Sequence, residues 1–218
     1  MQELFRFSKI ASLVVFLMAI IQTVSVFYLK DLSYWENPEI YEIFGTVRSI
    51  IGYLFYGIVL IYFLLIYRNS AKESVLRIPS LIGFISAIAC LILPIISRII
   101  MSYMFDNYYS DSKIALLGQI ENYIGIVSAC GLSVAIIWTA KYLKILPKIF
   151  AYLCALSVIL LYLLPFLYNL DLMRQLFEWD YSRNELIIHY NLIKDIIELS
   201  MYILFAVFYF LFSKMANK

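Results

Sequence analysis

The sequence has few of the residues that a soluble domain places at its surface. Only 15% of its 218 residues are charged, whereas 64% are hydrophobic, and soluble domains average roughly 25% charged residues. We therefore expect the solvent of this chain to be a lipid bilayer. The formal net charge is +2, which is too small a basic footprint for a nucleic-acid partner, and none is predicted.

Histidine, cysteine and glycine are also scarce, which excludes several kinds of site. His189 is the single histidine, and Cys90, Cys130 and Cys154 all lie inside apolar runs. An odd number of cysteines without a Cys-x-x-Cys spacing gives neither a disulfide framework nor a metal motif. The 7 glycines form no phosphate-binding loop, and neither Gly-x-Ser-x-Gly nor His-Glu-x-x-His occurs. Neither a cofactor nor an enzymatic activity is therefore indicated.

The sequence does contain a series of long apolar runs. A helix that crosses a bilayer needs about 20 consecutive, mostly apolar residues, and six segments approach or exceed this length. These predicted spans cover residues 10–29, 46–67, 79–104, 114–140, 149–168 and 187–213. The fold class predicted for residues 1–218 is therefore all-α, a single polytopic membrane domain with six transmembrane helices in one bundle.

Local signals predict where two of the helices begin. Asn37 and Pro38 are the residue types preferred at a helix cap and at the first helical position. Ser182 and Glu185 have the spacing of a capping box, so the last helix should begin here. Gly45 is expected to break or hinge the helix that begins near Pro38, because glycine is a weak helix former.

The charges of the connecting segments predict the orientation of the chain. The N-terminus, the C-terminus and residues 68–78 and 141–148 are basic, whereas residues 30–45 and 169–185 are acidic. Basic loops remain in the cytoplasm according to the positive-inside rule. We therefore expect both termini to be cytoplasmic in a plasma membrane, which in a bacterium is the inner membrane.

Several ionisable residues fall in the parts of the spans that this orientation places outside. Each such residue costs about 2.5–3.5 kcal/mol at the bilayer centre and less near the interface, so we expect these residues to face the bundle interior and to pair. Helical spacing places Glu121 on a stripe of small residues, and Asp195 and Glu198 on one face of the last span. The set consists of Arg48, Arg98, Glu121, Lys194, Asp195 and Glu198.

Two interpretations of this polar set remain open. In the first, the protein binds or translocates a small solute or ion through a site that opens to the extracytoplasmic side. The predicted ligand-binding residues are Arg48, Arg98, Glu121, Asn122, His189, Lys194, Asp195 and Glu198, and the predicted rim is Tyr34, Trp35, Trp179 and Tyr181. In the second, the charges only hold the bundle together. The protein is then a non-catalytic accessory, scaffold, immunity or pore-forming protein that acts with a partner subunit or as a homo-oligomer.

Overall fold

Six long helices make up most of the chain. The computed structural model describes residues 2–30, 38–70, 74–106, 111–169 and 183–217, and a 3₁₀ turn, Lys214–Asn217, follows the last helix. No strand occurs among these residues. The helices are α1 (Gln2–Lys30), α2 (Pro38–Asn69), α3 (Arg77–Asp106), α4 (Asp111–Ala140), α5 (Ile145–Asn169) and α6 (Arg183–Ser213). All six contain a segment that is long and apolar enough to cross a membrane, as the sequence predicted.

The helix starts follow the local sequence signals, but one predicted break is wrong. α2 begins at Pro38 and α6 at Arg183, directly after the predicted capping residues, which lie outside the described part of the chain. α2 continues through Gly45, where a break or hinge was expected. A single glycine costs a helix only about 1 kcal/mol, and α2 continues well beyond it on both sides. Ser49 Oγ also donates a hydrogen bond to the Gly45 carbonyl oxygen at 2.8 Å.

The helices form a closed ring in chain order, and each is antiparallel to its neighbours. Every helix packs against the next one along the chain, and α6 packs against α1. Two contacts along each of four of these pairs show that the residue numbers run in opposite directions, and the parallel course of α2 and α6 described below fixes the other two pairs. In α1 and α6, Ser12 contacts Ala206 and Gln22 contacts Glu198; in α2 and α3, Ser49 contacts Arg98 and Phe63 lies against Gly83. In α3 and α4, Ser97 contacts Glu121 and Ser86 lies against Gly131. In α4 and α5, Gly125 lies against Tyr162 and Ser133 contacts Ala155.

The two ends of the ring differ in their chemistry. We call the end at which α2, α4 and α6 begin the polar end, because Arg48, Glu121 and Asp195 lie in its outer turns. We call the opposite end, at which α1, α3 and α5 begin, the basic end. Its ionisable residues are mainly cationic and include Arg6, Lys9, Arg68, Arg77, Lys141, Lys144 and Lys214.

Side chains of α2 and α6 fill the interior of the ring. These two helices are parallel, and no Cα atom of one lies within 8 Å of the other among the described residues. They meet instead through a seven-residue repeat, in which residues 48, 55 and 62 of α2 face residues 195, 202 and 209 of α6. Phe55 and Tyr202 lie 5.2 Å apart between ring centroids, and Tyr62 and Tyr209 lie 5.3 Å apart. Edge-to-face aromatic contacts of this kind stabilise the core beyond their buried area.

Small residues allow the other helices to approach closely. A Cβ atom placed on Gly83 of α3 would lie 2.6 Å from the Phe63 ring of α2, and one on Gly125 of α4 would lie 2.9 Å from the Tyr162 ring of α5. Glycine is therefore the residue that fits at these two crossings. Membrane helices commonly pack through such small residues because lipid supplies little hydrophobic drive for their association.

The outside of the ring is apolar on every helix. A soluble monomer rarely exposes a continuous apolar surface of this extent, whereas a bilayer solvates it. The six helices therefore indicate an integral membrane protein. Exposed side chains include Phe16 of α1, Leu54 of α2, Ile99 of α3, Val127 of α4, Leu156 of α5 and Ile196 of α6.

We predict that Gly83→Ala lowers the midpoint of thermal unfolding in detergent. Phe63 is fully buried, so its ring has little room to move, and overpacking a core costs about 1–3 kcal/mol. Gly57→Ala is the matched control because a Cβ atom there meets nothing within 4 Å. The control variant should unfold at or slightly above the wild-type midpoint. Equal midpoints for the two variants would contradict the close α2–α3 crossing.

Candidate functional site

A cavity of about 460 Å³ opens at the polar end between α2, α3, α4, α5 and α6. We call it the polar cavity. Most of its charged and amide groups lie toward the polar end, and Tyr56, Cys90 and Leu161 lie toward the aromatic core. Its lining residues are Arg48, Ser49, Gly52, Tyr53, Tyr56, Cys90, Leu93, Pro94, Arg98, Glu121, Asn122, Gly125, Leu161, Tyr162, Pro165, Tyr190, Asn191, Lys194, Asp195 and Glu198.

A bidentate ion pair crosses one side of the polar cavity. Arg48 Nη1 and Nη2 donate to Asp195 Oδ1 and Oδ2 at 3.0 and 3.2 Å. The two side chains are 26% and 13% exposed, respectively. The parallel fork of a guanidinium on a carboxylate is among the stronger hydrogen-bonded arrangements in proteins. In the seven-residue repeat between α2 and α6, this pair forms the layer nearest the polar end. Phe55 and Tyr202 form the next layer, seven residues further along each helix.

Hydrogen bonds between α2, α3 and α4 hold the opposite side. Ser97 Oγ donates to Glu121 Oε2, which joins α3 to α4. Arg98 Nη2 donates to Ser49 Oγ at 2.9 Å, which joins α3 to α2. Ser97 is buried and Arg98 is exposed.

Glu198 has a partner on the helix behind it. Gln22 Nε2 of α1 donates to Glu198 Oε2 at 3.1 Å, and Gln22 is only 1% exposed. The sequence interpretation missed Gln22. The signal was present, because an amide in the middle of an apolar span is expected to face another helix.

The predicted pairing of all the charges is wrong. Arg48 with Asp195 is the one ion pair within 4.0 Å in the part of the chain that the structure describes. Glu121 and Glu198 accept hydrogen bonds from neutral groups instead. Helix spacing predicts which residues share the interior, but whether a carboxylate reaches a cation or a nearer hydroxyl depends on side-chain distances that sequence does not contain.

The deep part of the polar cavity contains a cluster of buried hydroxyl and thiol groups. Tyr56, Cys90 and Tyr162 lie close together there, yet no hydrogen bond of ordinary geometry reaches Tyr56 Oη among the described residues. Tyr56 is 8% exposed. The other buried polar atom in this condition is Arg48 Nε. Both residues line the polar cavity. Buried polar atoms normally have partners, and the Tyr162 hydroxyl lies beside Tyr56 Oη.

The structure brings most of the predicted site residues together. Seven of the eight line the polar cavity: Arg48, Arg98, Glu121, Asn122, Lys194, Asp195 and Glu198. His189 belongs to α6, but its side chain lies outside the described part, as do the predicted rim residues Tyr34, Trp35, Trp179 and Tyr181. The tyrosines Tyr56 and Tyr162 were not predicted, because nothing distinguishes them among 19 tyrosines in the sequence.

The donor set of the cavity suits hydrogen bonding and charge rather than metal ligation. Among the described residues, no group of three His, Cys, Asp or Glu side chains could hold a metal ion. Cationic side chains and anionic carboxylates line the same space, together with hydroxyl and amide groups. Such a site can bind a small molecule that carries charged or hydrogen-bonding groups.

We predict that the Arg48–Asp195 pair couples α2 to α6 energetically. Arg48→Gln and Asp195→Asn should each destabilise the protein by about 1–3 kcal/mol, between the values for exposed and buried ion pairs, because each leaves one partner unpaired. The Arg48→Gln/Asp195→Asn double variant should lose less stability than the sum of the two single variants. Thermal or denaturant unfolding in detergent measures the stability of the wild-type protein, the two single variants and the double variant. Strictly additive losses would show that the pair contributes no coupling.

The chain matches no protein-family model, and no curated protein or solved structure is significantly similar to it. Its class, an integral membrane protein with six apolar helices, follows from the helices themselves. What the protein binds is therefore inferred from the side chains of the polar cavity.

Proposed function

We propose that this integral membrane protein binds or translocates a small polar solute or ion through the polar cavity. The observation that carries the proposal is that charged side chains from four helices line a shared space, and that four of them form no ion pair among the described residues: Arg98, Glu121, Lys194 and Glu198. Its volume of about 460 Å³ falls within the range of about 300–1,000 Å³ that is usual for small-molecule sites. Ionisable residues inside a membrane bundle are costly and mark ligand or ion sites more often than not.

The charges of the polar cavity favour a ligand with polar groups. Arg98 and Lys194 are cations without an ion pair in the described part of the chain, and Glu121 and Glu198 are carboxylates in the same condition. A solute that brings its own charge or hydrogen-bonding groups would satisfy them. An apolar ligand would leave these groups desolvated, which costs binding energy.

We also propose that the polar cavity faces the extracytoplasmic side of a plasma membrane. The basic end of the bundle carries most of the connecting cations, and the positive-inside rule assigns such an end to the cytoplasm. Both termini are then cytoplasmic. The aromatic contacts of Phe55 and Tyr62 with α6 fill the ring between the cavity and the basic end. The arrangement therefore favours binding from outside, with translocation requiring a conformational change or a partner subunit.

A specific set of contacts favours the second function, a structural role. The Arg48–Asp195 pair and the Gln22–Glu198 and Ser97–Glu121 hydrogen bonds each join two helices. A scaffold or accessory protein would need these links and no ligand. The two functions differ in one measurable property, which is whether the cavity admits water and solutes.

We predict that a cysteine at position 122 reacts with a membrane-impermeant thiol reagent in intact cells. Asn122 lines the polar cavity, and thiols react through the thiolate, which forms in water and not in lipid. Cys90, Cys130 and Cys154 are first replaced by alanine. Ile124→Cys is the matched control, because Ile124 is exposed on the apolar outside of the same helix two residues away. It should remain unlabelled.

The labelling pattern separates the proposals. Labelling of Asn122→Cys only after the cells are permeabilised would reverse the orientation but retain an accessible cavity. Absence of labelling under both conditions would contradict a water-filled cavity and favour the structural role. Labelling of Ile124→Cys to the same extent would show that the reagent does not distinguish the cavity from the outside of the bundle.

We predict that Glu121→Gln and Glu198→Gln weaken solute binding but leave the fold intact. The probes are a panel of amino acids, nucleosides and water-soluble vitamins, each tested for thermal stabilisation of the purified protein. Removing a charged hydrogen-bond partner should weaken binding of the selected solute about tenfold or more. Glu42→Gln is the control, since Glu42 is exposed on α2 and does not line the cavity. Loss of folding in the two cavity variants would favour the structural role instead.

A further inference from the structure

A second cavity of about 460 Å³ lies between α1 and α6 at the basic end of the bundle. We call it the basic recess. Three cations line it: Arg6 and Lys9 from α1 and Lys214 from the turn that follows α6. Gln2 and Ser213 add an amide and a hydroxyl. No acidic side chain is among the residues that line it.

Helix geometry explains why these groups share one space. Residues 2, 6 and 9 recur at helical spacing, so they lie on one face of α1. Phe5 packs against Phe212 with ring centroids 5.4 Å apart, which joins α1 to α6 beside the recess. Lys214 Nζ lies 4.4 Å from the centroid of the Phe210 ring, a cation–π distance. The ammonium is therefore held at the recess without using a carboxylate.

The cations of the basic recess are electrostatically unbalanced. Glu3 lies on α1 but does not line the recess. Neither Arg6, Lys9 nor Lys214 has a carboxylate within 4.0 Å in the part of the chain that the structure describes. Cations grouped without acids create a positive potential that attracts an anion, and phosphate oxygens accept strong hydrogen bonds from guanidinium and ammonium groups.

The position of the basic recess identifies the source of the anion. The apolar spans of α1 and α6 extend over Gln2–Phe27 and Tyr190–Ser213, so the recess lies where both spans meet the interface. Ile10, Leu13 and Phe210 are exposed beside it on the apolar outside of the bundle. A headgroup in the recess would therefore have a surface along which its acyl chains could pack.

We propose that the basic recess binds a phosphate-bearing anion and that in the membrane this anion is the headgroup of an anionic phospholipid. The site is separate from the polar cavity and does not depend on the function proposed for it. Basic pockets between membrane helices are suited to such headgroups because the lipid supplies both the charge and the apolar chains.

Binding to lipid of defined composition tests the proposal. The purified protein is titrated in detergent with phosphatidylglycerol and with phosphatidylcholine, and lipid retention is measured by native mass spectrometry. The Lys9→Gln/Lys214→Gln variant is compared with Lys141→Gln/Lys144→Gln, which removes the same charge from the turn between α4 and α5 at the same end of the bundle. All four lysines are exposed, so neither variant should disturb the fold. In a parallel experiment, inorganic phosphate is added as a soluble anion to test whether it displaces the lipid.

The expected result is selective retention of phosphatidylglycerol by the wild-type protein and by the control variant. Apparent affinity should fall about fivefold for each cation removed from the recess. Equal losses in both double variants would overturn the proposal, because they would show attraction by the whole basic end. Displacement of the lipid by micromolar inorganic phosphate would overturn the assignment to a lipid. Equal retention of the two lipids would overturn the anion site itself.

Discussion

The contact between α2 and α6 is the constraint on which the rest of the bundle depends. These helices are not sequence neighbours, and among the described residues they meet through long side chains that cross the ring. The seven-residue repeat keeps them in register, with Arg48 and Asp195 in the first layer and aromatic pairs in the next two. A ring of six helices has a wide interior, and aromatic side chains are the largest available to fill it. In the first layer, Arg48 and Asp195 stand in place of aromatic rings, and their charged groups need hydrogen-bond partners.

The polar cavity follows from that change of side-chain type. At the aromatic layers, Phe55, Tyr62 and Phe205 occupy the centre of the ring. Nearer the polar end, Gly52 lines the wall instead, and a Cβ atom placed there would meet nothing within 4 Å, which leaves room beside α2. The ion pair and the bonds to Glu121 and Glu198 hold the wall in place, but they leave other charged groups facing the space. Structural links are compatible with the proposed binding site, since the same carboxylates have lone pairs for both.

The sequence predicted the helices and the membership of the site better than its contacts. The six helices follow from the apolar runs in the sequence. The cost of burying charge and helical periodicity then predict that Arg98, Glu121 and Asp195 share one region. Gly45 was misjudged because its effect on a helix depends on how much helix surrounds it. The ion pairs were overestimated, since Ser97 and Gln22 lie nearer to two of the carboxylates. Register between α2 and α6 is a tertiary property, and the repeat is visible only once the two helices are known to face each other.

The central claim is that charges at the polar end surround a space that water or a solute occupies. A density map of the protein in lipid nanodiscs, at a resolution that shows side chains, tests it most directly. We predict ordered non-protein density between α2, α4 and α6, with Arg98 and Lys194 apart from Glu121 and Glu198. Direct ion pairs among these four charged residues, with no space between α2, α4 and α6, would contradict the account.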